Sequence, residues 1–167
     1  MRCIAEPAEA AGAGPGMPVP DPRPLRGFRP ADVPHIAAIV AEALHEHYDP
    51  GLYGSLSAEW PSGFLVATDE RDVPVGFLLG VNQVPGEGRV LMFAVQRDWR
   101  GTGVGHALMD AFLDRCRFRQ FRRVTLEVRV SNVGAIRFYT RYNYSVIDLL
   151  RSYYSDGEDG YHMARDL

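Results

Sequence analysis

The sequence predicts one α+β domain built around a single mixed, mostly antiparallel sheet of about six to seven strands flanked by about four helices. Three observations predict this fold class. The chain has 167 residues, of which 46% are hydrophobic, and this suits one domain with a full core. Some segments alternate apolar and polar residues, whereas others repeat apolar residues at helical spacing. The predicted order is strand, helix, three strands, helix, strand, helix and two strands, with no internal repeat.

The first half of the domain is predicted to hold a strand, a helix and an antiparallel meander. Leu25 to Arg29 is a short strand candidate, and the helix after it has Asp32 as its N-cap and extends to about His47. Residues 48–61 show little periodicity and are predicted as a loop or broken helix that borders a substrate site. Aliphatic and aromatic runs between turn signals predict three strands, at Phe64 to Thr68, Val73 to Val81 and Arg89 to Val95.

The second half is predicted to hold two helices and three strands. A helix from Gly103 buries one apolar face that includes Cys116, and the strand from Val124 to Val130 has one aliphatic and one polar face. Glu127 therefore points away from the aliphatic row. Ser131 is the expected N-cap of a helix over about 132–142. The last two strands are predicted at Tyr144 to Leu149 and Gly160 to Ala164.

Residues 1–24 are predicted to be a flexible tail rich in Pro, Gly and Ala, and residues 25–167 the folded domain. The tail lacks the apolar run of a signal peptide, and the chain lacks a membrane-spanning stretch, so a cytoplasmic protein without membrane contact is expected. Met17 is an alternative start. Cys3 and Cys116 lie in unlike contexts, which makes a disulfide an unfavoured interpretation. A net charge of -3 argues against nucleic acid as a partner.

The segment Arg100-Gly101-Thr102-Gly103-Val104-Gly105 follows an apolar strand and leads directly into a helix. Glycines let the backbone approach a ligand closely, and the N–H groups of a helix start bind phosphate oxygens. A dinucleotide fingerprint is a weak interpretation, since the spacing is G-x-G-x-G, and a nucleoside-triphosphate P-loop is excluded because the chain has no lysine. A plain glycine-rich helix cap is the structural alternative. The loop therefore predicts a phosphate-bearing ligand.

This loop, with the pattern Q/R-x-x-G-x-G, resembles the acetyl-coenzyme A loop of the GNAT acetyltransferase superfamily. The segments 126–132, 135–139 and 151–154 extend the resemblance to the branch of N-terminal protein acetyltransferases, including the ribosomal-protein-alanine type, over about residues 25–167. The resemblance implies a GNAT fold and acetyl-coenzyme A as the cofactor. It implies cofactor contacts at Phe93, Ala94, Val95, Arg100, Gly101, Thr102, Gly103, Val104, Gly105, His106, Asn132 and Tyr139.

Acetyl transfer to an amine requires a proton acceptor for the amine and a proton donor for the departing thiolate. The resemblance implies that Glu127 is the general base, directly or through water, and that Tyr139 is the general acid. A salt-bridged glutamate, with Arg129 as its neighbour, and a core aromatic are the structural alternatives for these two residues. Asn132 can be a helix cap and still lie beside the cofactor.

The segment Arg151-Ser152-Tyr153-Tyr154 resembles the loop that closes over the first residues of a peptide in this branch. Tyr48, Tyr53, Tyr153 and Tyr154, with Glu127, are the candidate substrate contacts, although a tyrosine pair in a loop can also be a packed corner. The expected acceptor is the N-terminal α-amine of a protein or peptide, of ribosomal or nascent origin. Lysine side chains, small amines and a non-catalytic coenzyme A binding module remain alternatives, and the oligomeric state is open.

Two further patterns are given a structural interpretation. His45 and His47 point to nearly opposite sides of a helix, so no metal site is predicted. Asn143 stands where the family usually has glycine, and asparagine tolerates the left-handed conformation of a helix C-cap. The five arginines between residues 115 and 123 are interpreted as a solvated surface rather than an RNA-docking patch.

Overall fold

A computed structural model describes residues 24–44 and 47–167, together with the backbone of residues 4–6. Four α-helices lie among these residues: α1 (Val33–Leu44), α2 (Pro50–Glu59), α3 (Val104–Phe118) and α4 (Val133–Arg141). The strands are β1 (Ile4–Glu6), β2 (Leu25–Gly27), β3 (Phe64–Thr68), β4 (Pro74–Val84), β5 (Glu87–Val95), β6 (Arg123–Arg129), β7 (Ser145–Leu150) and β8 (Gly160–Asp166).

The strands form one mixed sheet in the order β2-β3-β4-β5-β6-β8-β7. Neighbours along this path are antiparallel, except that β5 and β6 run parallel. The predicted α+β architecture, with seven strands on this path and four helices, is confirmed. The strand β1, which pairs with β5 off this path, was not predicted.

The sheet opens between β5 and β6. These strands pair only where Glu87–Arg89 faces Arg123–Thr125, near the beginning of both. Past Arg89 they separate, and β1 lies in the opening, where it pairs in parallel with Met92–Ala94 and contacts β6. The opening therefore leaves the later part of β5 without its β6 partner.

Two apolar clusters cover the two faces of the sheet. On one face α3 and α4 pack through residues such as Leu108, Phe112 and Phe138 onto Phe93 and the aliphatic row of β6. On the other face α1 and α2 pack onto alternate residues of β3, β4 and β5. The helices α1, α3 and α4 each bury one apolar face.

The structure corrects three local predictions. Residues 48–61 contain a regular helix, α2, because the Asp49 side chain accepts the Gly51 N–H and Pro50 occupies the first turn. Asp32 does not cap α1. It closes a short 3-10 turn by accepting the Arg29 N–H at 2.8 Å and pairs with Arg26. The N-cap of α4 is Asn132 rather than Ser131.

The described segments leave most of the predicted N-terminal tail outside. Residues 1–3 and 7–23, with Met17 and Cys3, are among those not described, as are His45 and Glu46. Within the described range Cys116 is a free, buried cysteine. Asn143 has a φ of 60°, so its predicted left-handed conformation is confirmed.

Candidate functional site

The glycine loop before α3 is arranged as a helix-start anion site. Gly101 and Gly103 have φ values of 74° and 90°, which a residue with a side chain adopts only at a cost. Gly103 is the N-cap of the 15-residue helix α3, and it offers no side chain to accept the N–H groups of the first turn. Gly105 lies within that first turn. The N–H groups and the helix dipole there suit an anionic ligand.

Two side-chain hydrogen bonds hold the loop, one to the end of β5 and one to the short turn that follows it. Arg100 donates from Nε to the Val95 carbonyl at 2.9 Å, and the Thr102 hydroxyl donates to the Trp99 carbonyl at 2.7 Å. Val104 is fully buried in the core, so only its backbone faces a ligand. These contacts explain the residue types at 100, 102 and 104 through loop geometry.

His106, the last predicted cofactor contact of this segment, lies on α3 beside α4. Its Nδ1 is 3.0 Å from the Tyr142 hydroxyl, and the two rings are stacked with centroids 5.6 Å apart. Its structural partner is thus Tyr142, and its contact with a cofactor stays a prediction.

The segment Phe93 to Val95, where cofactor contacts are predicted, borders the opening between β5 and β6. All three side chains are buried, so the backbone is what this segment can present. In the structure Ala5 and Glu6 of β1 pair with Phe93 and Ala94. A ligand carrying amides and β1 would therefore compete for the same backbone groups.

Glu127 lies at the start of the opening, two residues past the last β6 residue that pairs with β5. Its side chain is only 6% exposed. Arg89 donates to Oε2 from Nε at 3.0 Å and from Nη2 at 2.7 Å, while His162 Nδ1 lies 3.0 Å from Oε1. The strand register explains the second contact, since Glu127 is directly opposite His162 on β8. The carboxylate thus has a partner on each oxygen.

Arg89 also connects this carboxylate to the predicted substrate loop. Its Nη2 donates to the Tyr153 hydroxyl at 3.3 Å. A cleft of about 300 Å³ opens over the same residues. It is lined by Gln83, Val84, Glu87, Arg89, Thr125, Glu127 and His162. The cleft can therefore bring an amine to the predicted base.

The pairing of Glu127 with Arg129, which the sequence left open, is wrong. Arg129 forms ion pairs with Asp156 and Glu158 at 2.8 and 2.7 Å, and its guanidinium lies 4.1 Å from the Tyr154 ring centroid. The partner of Glu127 on the strand side is Arg89 instead. Arg129 holds the β7–β8 loop against the end of β6.

Tyr139 lies on the face of the sheet opposite Glu127. It is fully buried in the cluster of α3, α4 and the aliphatic row of β6, edge-on to Tyr144 with ring centroids 5.7 Å apart. Glu127 projects from the alternate face of β6. The structure therefore does not bring the two predicted catalytic groups together directly, and the opening between β5 and β6 is the passage between their faces. Asn132 caps α4 by accepting the Ala135 N–H at 3.0 Å.

The four predicted substrate tyrosines gather on the α1–α2 face. Tyr53 and Tyr154 are buried in its apolar cluster, and Tyr48 and Tyr153 pack against it. Burial raises the pKa of Tyr53, and among the described residues its hydroxyl has no hydrogen-bond partner. The segments after α1 and after β7 therefore pack on the same apolar cluster, and Tyr153 connects this cluster to the Glu127 cleft through Arg89. Tyr53 is part of the core.

Sequence reasoning missed Arg89 and His162. Arg89 is a single cation at the start of an otherwise apolar strand, and this was the available signal. His162 faces Glu127 only through the β6–β8 register, which no local pattern specifies. Among the described residues no group of three potential metal ligands occurs, and the helices described there include none long and apolar enough to cross a membrane.

Comparison with known proteins places these features in a family. Residues 33–144 match the acetyltransferase (GNAT) family. An N-alpha-acetyltransferase of Sulfurisphaera tokodaii is 34% identical over 155 residues, covering 86% of this chain and 92% of that protein. Ard1 from Thermoplasma volcanium has a structure with a TM-score of 0.83 and 41% identity, covering 86% of this chain and 97% of that one.

A second similar structure was solved with a ligand. Naa20 of Chaetomium thermophilum, in complex with a bisubstrate analogue, is 27% identical with a TM-score of 0.78, and the match covers 86% of each chain. The similarity of all three proteins extends over most of their length and most of this chain.

Proposed function

The chain belongs to the GNAT acetyltransferase family, and from this premise we propose that it transfers the acetyl group of acetyl-coenzyme A to the N-terminal α-amine of a protein or peptide. Two features of the site together carry the proposal. The glycine loop and the start of α3 suit a phosphate-bearing cofactor, and Arg89 joins the buried Glu127 carboxylate to Tyr153 of the candidate peptide loop. Relatives named as N-alpha-acetyltransferases support the choice of acceptor.

The chain offers matching groups for each part of acetyl-coenzyme A. The N–H groups of 101–105 are suited to its diphosphate, and the backbone of Phe93 to Val95 is suited to its amides. In the structure β1 pairs with this stretch of β5. Without β1, each unpaired buried backbone group would cost about 1 to 3 kcal/mol, so the stretch favours a partner that carries amides. The cofactor supplies an acetyl thioester, and the opening between β5 and β6 gives that group a route toward the Glu127 cleft.

Two side chains are proposed to manage protons. Glu127 takes part in removing the proton from the attacking amine as part of the general base. Tyr139 supplies a proton from its phenol to the departing sulfur. The positions of these two groups on opposite faces of β6 suit this division of roles, since amine and thiol approach the opening from different sides.

An α-amine suits this site better than a lysine side chain for a reason of protonation. The α-amine has an ordinary pKa near 7.7 to 8.0, against about 10.4 for lysine, so roughly 10 to 15% of it is neutral at pH 7. A modest base is then sufficient. Tyr48 and Tyr153 are partly buried where they pack on the cluster, and Tyr153 contacts Arg89 of the cleft. Both are proposed to contact the peptide backbone. A ribosomal or nascent chain in the cytoplasm is the proposed source of the acceptor.

The experiment is acetylation of a peptide library that contains free α-amines and internal lysines, followed by fragmentation mass spectrometry. We expect acetyl groups on N-termini, and none on control peptides whose N-terminus is formylated. The chain itself contains no lysine, so self-acetylation can occur only at its own N-terminus. Label on lysine alone would show a different acceptor. Calorimetric binding of coenzyme A without any transfer would show a non-catalytic module.

A further inference from the structure

Beside the predicted base lies a histidine that could receive the amine proton itself. His162 stands opposite Glu127 in the β6–β8 register and lines the same cleft. We infer that His162 Nε2 is the atom that accepts the proton of the attacking amine, and that Glu127 holds the imidazole and stabilises its charged form. This inference rests on the proposed function, because it requires an amine acceptor in the cleft.

The hydrogen bond between the two side chains fixes the imidazole tautomer. An ionised carboxylate has only acceptors, so His162 Nδ1 must be the protonated nitrogen in its 3.0 Å contact with Oε1. In a neutral ring Nε2 then carries the lone pair. The described residues form no hydrogen bond to Nε2, and the side chain is 25% exposed. A basic nitrogen is therefore available in the cleft.

The carboxylate, by contrast, is already engaged on both oxygens. Two N–H groups of Arg89 point at Oε2, and the His162 N–H points at Oε1. The ion pair places the Arg89 guanidinium directly against this carboxylate. A buried carboxylate that orients a histidine through Nδ1 and stabilises the imidazolium is the arrangement that makes histidine an efficient base. The geometry assigns Glu127 that supporting position.

Each element packed around His162 contributes charged or titratable groups that face it. They are Glu127 on β6, Arg89 and Glu87 on β5, Asp148 on β7 and Tyr153 in the β7–β8 loop. Asp148 is exposed, and Arg89 has its charge directed at Glu127. Among these residues Glu127 is the group in hydrogen-bond contact with the ring.

The proton and electron balance of the step is closed. The amine nitrogen gives its electron pair to the acetyl carbon, and the N–C bond forms. The C–S bond breaks, and its electron pair leaves with sulfur. The nitrogen loses one proton to His162 Nε2, and the sulfur gains one from the Tyr139 phenol. His162 then gives its proton to solvent and Tyr139 takes one back, so that amide and thiol are the products and a neutral amine releases no net proton.

The test separates proton acceptance from structural support by using two variants. H162N keeps a side-chain amide donor near the place of Nδ1 but has no basic nitrogen, whereas H162A removes both. We expect both to lower kcat about 100-fold or more, the usual range for a general base, with the KM for acetyl-coenzyme A unchanged. In both variants the fall of kcat at low pH that is expected of the wild type should be absent. Exogenous imidazole should restore part of the H162A rate. H35N, at an exposed histidine of α1, is the matched control and should behave as wild type.

A second readout does not depend on turnover. In the free protein the His162 Nδ1–H should give a hydrogen-bonded proton resonance in NMR spectra, and E127Q should shift it strongly, while D166N should leave it in place. If H162N keeps the wild-type rate and pH profile while the wild-type enzyme acetylates α-amines, His162 only supports Glu127 and the inference is wrong. If the wild-type enzyme acetylates no α-amine but does acetylate lysine, the proposed acceptor fails, and the same variants tested on that substrate still decide the role of His162.

Discussion

Glu127 combines burial with charge at the candidate site. Its 6% exposed carboxylate lies between a guanidinium and an imidazole. E127Q preserves the size of the side chain but removes the charge that orients the base. We expect kcat to fall most at low pH, where the small neutral fraction of the amine acceptor makes proton removal limiting. Calorimetry should find the affinity for acetyl-coenzyme A unchanged.

The matched control for this substitution is D166N. Asp166 on β8 pairs with Arg123 on β6, just as Glu127 pairs with side chains on neighbouring strands. Unlike Glu127, Asp166 is exposed. We expect D166N to keep the wild-type pH–rate profile. A uniform loss of rate in E127Q, equal at every pH, would remove Glu127 from proton transfer.

Tyr139 allows a test at the level of one oxygen atom. Y139F removes the hydroxyl and keeps the ring in its edge-on contacts with Phe138 and Tyr144. We expect kcat to fall by about 10- to 100-fold, below the upper range for general acids because solvent can replace part of the proton donation. Y144F, at a buried tyrosine in contact with Tyr139, is the control and should retain activity. Equal rates for Y139F and wild type would leave Tyr139 a packing residue.

At the scale of elements, the glycine loop and α3 make a joint prediction. Gly103 has a φ of 90° and open space where a Cβ would stand, so G103A introduces backbone strain without a clash. We expect a loss of about 1 to 2 kcal/mol in the free energy of unfolding and a weaker affinity for acetyl-coenzyme A, because the strained loop turns its N–H groups.

Gly86 provides the control for this backbone effect. It has a φ of 78° and equally open surroundings, but it lies in the β4–β5 turn. G86A should therefore destabilise the fold to a similar extent while coenzyme binding by calorimetry stays at the wild-type level. Equal binding by both variants would mean that the loop is only a helix cap.

The 3-10 turn before α1 carries a pH-dependent contribution to stability. Burial raises the pKa of Asp32, but hydrogen bonds from Arg26 and the Arg29 N–H outweigh this effect and lower the pKa overall. A carboxyl with a lower pKa in the folded state adds stability above its unfolded pKa, about 3.9, and loses it as the pH falls.

The lowered pKa of Asp32 decides how the stability of D32N should depend on pH. The free energy of unfolding of D32N should lie below that of the wild type at neutral pH, and the difference should shrink as the pH falls toward 3. Denaturant titrations at several pH values measure it. D114N, at an exposed carboxylate paired with Arg117, should show almost no difference at any pH. A constant gap for D32N would contradict the role of its charge.

The sequence could predict those features whose pattern lies within a few neighbouring residues. The strand at Phe64 to Thr68 and the loop at 100–105 were predictable, because periodicity and glycine placement act within a few residues. The helix α2 was not, since its Pro, Gly and Ser residues carry no helical period and tertiary packing of Tyr53 and Leu56 fixes it. The Glu127–His162 contact required the register of two strands 35 residues apart.

At the scale of the whole molecule, both faces of the sheet and the described part of the N-terminal segment meet at the opening between β5 and β6. The backbone of Ile4–Glu6 pairs there with Met92–Ala94. The overlapping segment Phe93 to Val95 is the proposed partner of the cofactor amides. Both cannot use the same N–H and C=O groups at once. Cofactor binding at the proposed segment would therefore displace β1, and the free energy of that displacement would subtract from the affinity.

A comparison of the full chain with a chain that starts at Met17 tests this competition. The shorter chain lacks β1, so we expect it to bind acetyl-coenzyme A about 2- to 10-fold more tightly, as expected when a competing closed state is removed. A5P in the full chain removes one backbone N–H from β1 and should reproduce most of the gain without shortening the tail. Calorimetry gives the dissociation constants, and kcat should be the same in all three proteins. Identical affinities would mean that Ile4–Glu6 does not hold the opening against the cofactor.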